Sequence, residues 1–495
     1  MSVARSIGRL GGDTLVYGVA GTIGRFISIF LVPLYTRVFS PAEYGIMAML
    51  GSFTGLVSTL IVLGLDSASA RWYYDAPAEG DVQRKEVIST WFWSQMFVGL
   101  IVTALIVLFA EQLAQMMLDS HKYSVILILA MLAIPLSTFT KVLINWLRYQ
   151  RRPWSTMIFT LASSLALIAV TVLFVLVWRW GLAGLYWAQL VVAAGMAAAA
   201  VLVLRSSIAP RFISRSVLKE MLVFGLPLVP AAVAAWVTAS ADRFFLKAYR
   251  DATEIGVYAI AVTLASGVAL VTNAFQMAWG PFAFSIWPEE NSSRVYSKVL
   301  SIYVVVGCLL GTAVSLFAPL LLRILTSPAY YGAATSVPWL AFSYLAIGAS
   351  YIGALGCGIV KSSIPVAVSI FVGAALNTGL NFILIPLWGR DAAAFSTFTA
   401  YAAAAVYVFV ASQRLYRIPY RFKDVMICLG VSGSVIVADR VLLAPEGWLA
   451  FAARTGLCLL FIPLAFWLGI VERGHIRRSL LYVERRLGWA GAKGA

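Results

Sequence analysis

Apolar residues run through this chain in long unbroken stretches, such as Val98–Ala110 and Tyr401–Ala411, and do not alternate in and out along short strands. Continuous runs of this kind read as membrane-spanning helices, each needing about 20 mostly apolar residues, and they exclude an outer-membrane barrel. The pattern predicts roughly fourteen spans, at 14–36, 43–65, 88–110, 123–145, 155–177, 182–204, 221–241, 254–276, 299–322, 335–357, 364–387, 393–412, 424–443 and 449–470. The connections are short, and none is long enough for a soluble domain. The expected fold is therefore an all-α polytopic membrane protein. The first run, Leu15 to Tyr35, is full length, carries Arg25 and Pro33, and lacks a small-residue cleavage site, so it reads as a span and not a signal peptide.

Composition agrees: 495 residues are 61% hydrophobic and only 12% charged, with a mean hydropathy of +0.89. The net charge of +16 would suggest nucleic acid in a soluble chain. Here the basic residues follow the spans instead, so no nucleic-acid partner is expected. With the N-terminus inside, 26 of the 37 Lys and Arg fall on the cytoplasmic side, nine fall opposite, and Arg25 and Arg454 lie within spans. That bias supports an even number of spans and two cytoplasmic termini. The four cysteines sit in apolar stretches, and the two histidines, His121 and His475, sit in loops or tails. No metal site and no His-based catalytic centre is expected.

The two halves resemble each other. Leu15–Gly18 (LVYG) matches Leu222–Gly225 (LVFG), Glu43–Ala48 (EYGIMA) matches Glu254–Ala259 (EIGVYA), and Trp180-Gly181 matches Trp388-Gly389, at offsets of 207, 211 and 208. Such an offset spans six helices. An even number per repeat gives parallel halves related by an axis along the membrane normal, a transporter architecture. The predicted layout is an N-terminal lobe at 1–210, a C-terminal lobe at 211–420, and two further helices with a basic tail at 421–495. Gly18, Gly21, Gly24 and Pro33 in the first helix, and Gly225, Pro227 and Pro230 in the seventh, predict bends.

Charge within spans is costly and usually faces a cavity. Arg25 lies about 16 Å into the first helix by helix rise, and Arg37 lies three turns further on roughly the same face. Arg25 either faces a cavity or is bonded to carbonyls of a neighbouring helix. No Asp or Glu sits mid-helix in either half. Asp66 closes the second span, Asp242 the seventh, and Glu43 and Glu254 open the second and eighth. A mid-depth Arg without a carboxylate suits an anion, best a phosphate that guanidinium grips bidentately. Arg25, Arg37, Asn273, Gln276, Asn377 and Asn381 are thus candidates for the cavity, the amides serving either sugar hydroxyls or interhelical hydrogen bonds. Asp66, Asp242, Arg243 and Glu254 are candidates for gating or ion coupling. For Asp242, Arg243 and Lys247 an interfacial anchor is the alternative, and Asp439 and Arg454 are expected to pair with each other.

Thr14–Gly21 (TLVYGVAG), Leu31–Gly45 (LVPLYTRVFSPAEYG), Phe224–Pro230 (FGLPLVP), Ala241–Leu246 (ADRFFL) and Ile255–Tyr258 (IGVY) together resemble the Wzx-like polysaccharide flippases of the MOP superfamily. The resemblance implies a non-enzymatic, two-lobed transporter in the bacterial inner membrane. It would carry an undecaprenyl-diphosphate-linked oligosaccharide to the periplasmic leaflet for O-antigen, exopolysaccharide or capsule synthesis. No cofactor is implied beyond a coupling ion, H+ or Na+. Membrane lipids, a polysaccharide polymerase and a chain-length regulator would be its partners. Lipid II flippases resemble the chain less, because they crowd more arginines into the first two helices. The alternatives are a cation-coupled multidrug exporter of the same superfamily, which would favour a buried carboxylate in the first helix, and a membrane enzyme of glycan assembly, which would need a sizeable outer loop. The topology has a direct test: reporter fusions at His121 or Pro445 should report the external side, and fusions at Arg152 or Arg417 the cytoplasm. One inverted reporter would break the span count and the repeat.

Overall fold

The protein is described by a computed structural model over residues 31–76, 80–287, 289–442 and 447–468. After a helical stretch at 31–38 come α1 (Pro41–Val62), α2 (Leu65–Asp75), α3 (Asp81–Leu108), α4 (Ala110–Leu118), α5 (Ser124–Tyr149), α6 (Pro153–Val172), α7 (Gly181–Leu204), α8 (Arg215–Gly225), α9 (Val229–Ser240) and α10 (Asp242–Tyr249). There follow α11 (Ala252–Ser285), α12 (Ser292–Leu325), α13 (Val337–Gly353), α14 (Leu355–Ile359), α15 (Ile364–Trp388), α16 (Arg390–Leu415), α17 (Phe422–Leu442), α18 (Trp448–Leu459) and α19 (Phe461–Trp467). No strand occurs among the described residues. Among the described residues, eleven stretches are long and apolar enough to cross a membrane, and they coincide with the predicted spans from 43–65 to 393–412. Span 424–443 is α17, span 449–470 falls on α18 and α19, and most of span 14–36 lies outside the described residues. This is a multi-pass membrane protein.

Local chemistry sets the helix ends. α1 begins at a complete capping box, in which the Ser40 side chain accepts from Glu43 N and the Glu43 carboxylate accepts from Ser40 N, with Pro41 in the first turn. It ends at Leu63 and Gly64, with φ of 50° and 70°, and the chain restarts as α2. The bend predicted in the seventh span is present. α8 stops at Gly225, a 3-10 turn covers Leu226–Leu228, and α9 begins at Val229. Pro227 lacks the N–H that a continuous helix would need there.

The chain divides into two compact units. The first comprises residues up to 263 with 321–336 and 366–404, and the second comprises 264–320, 337–365 and 405–495. In the first, α5 packs along α3 and α7 and serves two apolar clusters. One gathers Leu50, Leu127, Met131 and Tyr186; the other gathers Trp91, Phe92, Leu143, Leu204 and Met221. Lipid tails are as apolar as these side chains, so helix association here depends on close packing and on polar contacts more than on hydrophobic burial.

The second unit illustrates the polar part. Ser301 donates to the buried Asp424 at 2.7 Å, Ser297 donates to the Pro419 carbonyl at 2.7 Å, and Tyr420 donates to that of Ile352 at 3.1 Å. α17 and α18 are joined by the buried pair Arg454–Asp439 at 2.7 Å, the pairing expected from the sequence. Leu316, Val435 and Cys458 pack beside it as a small apolar cluster.

Candidate functional site

Two segments of similar sequence, Glu43–Ala48 and Glu254–Ala259, meet in the first unit. The start of α1 crosses the start of α11 at two glycines. A Cβ on Gly45 would lie 1.8 Å from the Ala252 carbonyl oxygen, and one on Gly256 would lie 1.9 Å from that of Pro41. The contact is reciprocal: each glycine meets the carbonyl four residues before the other. That is the pattern expected of a contact on a two-fold axis. Only hydrogen fits at either position.

Further contacts tie down this end. Lys247 is paired with Asp119. Thr36 donates to the Leu325 carbonyl at 3.2 Å, and Tyr330 donates to that of Phe39 at 2.9 Å. Burial raises the pKa of the Tyr330 hydroxyl, with Tyr44 and Glu43 adding to the effect, so it stays protonated and keeps donating. Glu254, in the first turn of α11, is paired with Arg390 at the start of α16. Beside that pair, Tyr249, Arg250, Asp251, Trp388 and Asp391 line a polar cavity of about 690 Å³. Asp391 is held by Ser336 at 2.5 Å and Thr335 at 2.7 Å, and Arg250 donates to the Pro386 carbonyl at 3.0 Å.

A second feature is a buried polar chain. Asp242 opens α10 instead of closing the helix before it, and it is 1% exposed. It accepts from the Tyr258 hydroxyl, from Arg243 N at 2.8 Å and from Arg243 Nη1 at 2.9 Å. The guanidinium also lies 5.7 Å from the centre of the Tyr258 ring. The Thr397 hydroxyl lies near that of Tyr258. Asn377 Nδ2 donates to Thr397 Oγ1 at 3.4 Å, and Asn381 Nδ2 donates to Asn377 Oδ1 at 2.9 Å. Both amides are fully buried, and Asn381 Oδ1 has no hydrogen-bond partner. Four sequence candidates thus gather in one buried polar cluster, with Tyr258 and Thr397 as members the sequence reading missed. The spacing Asp242-x15-Tyr258 gave no local signal, since the two meet only through the pairing of α10 with α11.

A third feature involves Asp66, which opens α2 where the sequence had it closing a span. Its carboxylate accepts from Gln95 Nε2 at 2.7 Å, from Trp91 Nε1 at 3.1 Å and from Lys141 Nζ at 2.7 Å. Lys141 in turn lines a cavity of about 560 Å³ between α5, α6 and α7.

Arg25 lies outside the described residues. Arg37 is exposed near the end of the 31–38 helix. Asn273 and Gln276 are half-buried in α11 within the second unit, where Gln276 lies near the Tyr351 hydroxyl.

Residues 10–287 match the family model described as polysaccharide biosynthesis protein. The fold is similar to that of a lipid II flippase, MurJ, in an inward closed conformation, with a TM-score of 0.72 and 14% identity over 92% of this chain and 100% of that one. An outward-facing multidrug resistance MATE family transporter of the MOP superfamily is also similar, with a TM-score of 0.62 and 14% identity over 82% of this chain and 96% of that one. The corresponding inward-facing form has a TM-score of 0.60 and 14% identity over 79% and 97%. No curated protein matches the chain.

The two ion pairs differ in weight. Removing Asp242 leaves Arg243, whose side chain is 11% exposed, without its carboxylate, and breaking a buried pair costs about 3–5 kcal/mol. Asp119 is 74% exposed in its side chain, and an exposed pair is worth about 0–1 kcal/mol. Thermal unfolding in detergent should therefore fall clearly for Asp242→Ala and barely for Asp119→Ala; equal shifts would contradict this assignment.

Proposed function

The chain belongs to the polysaccharide biosynthesis protein family, and from that premise we propose that it is a flippase. Its cargo is an undecaprenyl-diphosphate-linked oligosaccharide, carried from the cytoplasmic to the periplasmic leaflet of the bacterial inner membrane by alternating access. The observation that carries this reading is the family match over residues 10–287 on a fold shared with a lipid II flippase. MATE transporters share the fold over less of this chain, which gives the drug-exporter alternative less support. The proteins it resembles in fold are named as transporters and a flippase, and translocation requires no covalent chemistry of the chain.

In this reading residues 1–210 and 211–420 are parallel six-helix lobes, residues 421–495 are an appended helix pair with its tail, and both termini are cytoplasmic. The crossing at Gly45 and Gly256 closes the periplasmic end. A polymerase and a chain-length regulator act on the product. The chain from Asp242 through Tyr258, Thr397 and Asn377 to Asn381 is the coupling site, at which H+ or Na+ changes the balance between lobe arrangements. Arg243 bears on that choice, because a bound cation must compete with a guanidinium already on the carboxylate.

The physical demand on the transporter is desolvation. A diphosphate entering a low-dielectric region loses water and needs replacement partners. The polyprenyl tail need never leave lipid. Arg25 supplies a partner near mid-depth, and Arg37 supplies a second about 18 Å further along by helix rise. Arg25→Ala should abolish glycan export in a flippase-null strain at normal membrane levels. Arg25→Lys should retain part of it, since charge survives and the bidentate grip does not. Full export by Arg25→Ala would return that residue to a structural role.

A further inference from the structure

We propose that Lys141 and Arg148 form a phosphate-binding site in the cavity between α5, α6 and α7, and that Asp66 is the counter-ion Lys141 leaves when the phosphate arrives. The inference rests on the flippase reading for the identity of its ligand, a polyprenyl diphosphate.

Three observations carry it. First, the cavity, of about 560 Å³, is lined by Lys141 and Arg148 together with Ser137, Asn145, Ser163 and Gln189, and by no carboxylate among the described residues. Seven residues separate the two cations on one helix, two turns or about 10 Å along one face. Neutral donors from three helices surround them, which is the composition an anion needs when its water is removed.

Second, the only carboxylate paired with Lys141 among the described residues is Asp66, at 2.7 Å, and each side chain keeps about a third of its exposure (34% and 32%). A pair left this open can exchange partners.

Third, Asp66 does not depend on Lys141. Gln95 and Trp91 donate to the same carboxylate at 2.7 and 3.1 Å, and it sits in the first turn of α2, where the helix dipole favours negative charge. Lys141 can therefore swing into the cavity without stranding a naked buried acid. In the empty site Asp66 neutralises the lysine. In the loaded site the phosphate does so, while Arg148, which is exposed, adds its planar fork of donors.

An ordinary phospholipid headgroup presents the same chemistry, as does soluble pyrophosphate, so the test uses all three probes. Binding of undecaprenyl diphosphate, dioleoyl phosphatidylglycerol and inorganic pyrophosphate to the purified full-length chain in detergent is measured for wild type, Lys141→Gln, Arg148→Gln and Asp66→Asn. We expect undecaprenyl diphosphate to bind best, and each of the Gln variants to weaken it about tenfold. Asp66→Asn, which removes the competitor for Lys141, should tighten it several-fold. Arg148 is exposed, so Arg148→Gln keeps the test sound should Asp66→Asn fold poorly. Unchanged binding in both Gln variants would overturn the site. Equal binding of phosphatidylglycerol, lost in the same variants, would overturn the assignment of the ligand. Glycan export in a flippase-null strain is scored in parallel. A wild-type chain that restores no export sinks the flippase reading, whereas the site stands or falls on the binding data.

Discussion

Two helix starts lie backbone to backbone at Gly45 and Gly256, and the arrangement of the first unit depends on that contact. A methyl group at either position would stand within 2 Å of a carbonyl oxygen of the other helix. In lipid, helices gain little from hiding apolar surface and much from close approach, so small residues mark where they must meet. The two glycines occupy the same place in two segments of similar sequence, Glu43–Ala48 and Glu254–Ala259. A contact in which each glycine meets a carbonyl of the other helix is self-complementary. The flanking interactions are of the sort that can be remade: an exposed ion pair at Asp119 and Lys247, and single hydrogen bonds to the carbonyls of Phe39 and Leu325.

Buried polarity follows a different logic. The carboxylate of Asp242 and the guanidinium of Arg243 neutralise each other, and hydroxyls and amides extend the pair to Asn381, where one oxygen stays without a donor. Leaving a buried acceptor unsatisfied costs about 1–3 kcal/mol. Asp66 has the opposite character, since three donors converge on one carboxylate and any one of them can be spared.

Much of this was legible in the sequence because membrane physics leaves few choices. Long apolar runs give the spans. One of the three matched motif pairs carries Gly45 and Gly256, which prove to touch. Pro227 announces the bend between α8 and α9. The candidates Asp242, Arg243, Asn377 and Asn381 were found as charges or amides out of place in lipid. Their joining was not legible, because Tyr258 and Thr397 look like ordinary membrane-helix residues until helix pairing brings them to the carboxylate. Lys141 falls inside the predicted span 123–145, but its pairing was not legible, because Asp66 lies on another helix and reaches it only where α2 packs against α5. The places of Asp66 and Asp242 were misread in the same way: each was assigned to the end of one helix and in fact opens the next, where a carboxylate meets the positive end of the helix dipole.

The central claim, that the end of the molecule held by the Gly45–Gly256 crossing must open for transport, is tested by locking it. Ala42→Cys on α1 and Thr253→Cys on α11 place one thiol on each helix beside the crossing, and the four native cysteines are buried. Linking the pair with a reducible bifunctional reagent should stop glycan export, and reduction should restore it. Undiminished export from fully cross-linked protein would contradict the account.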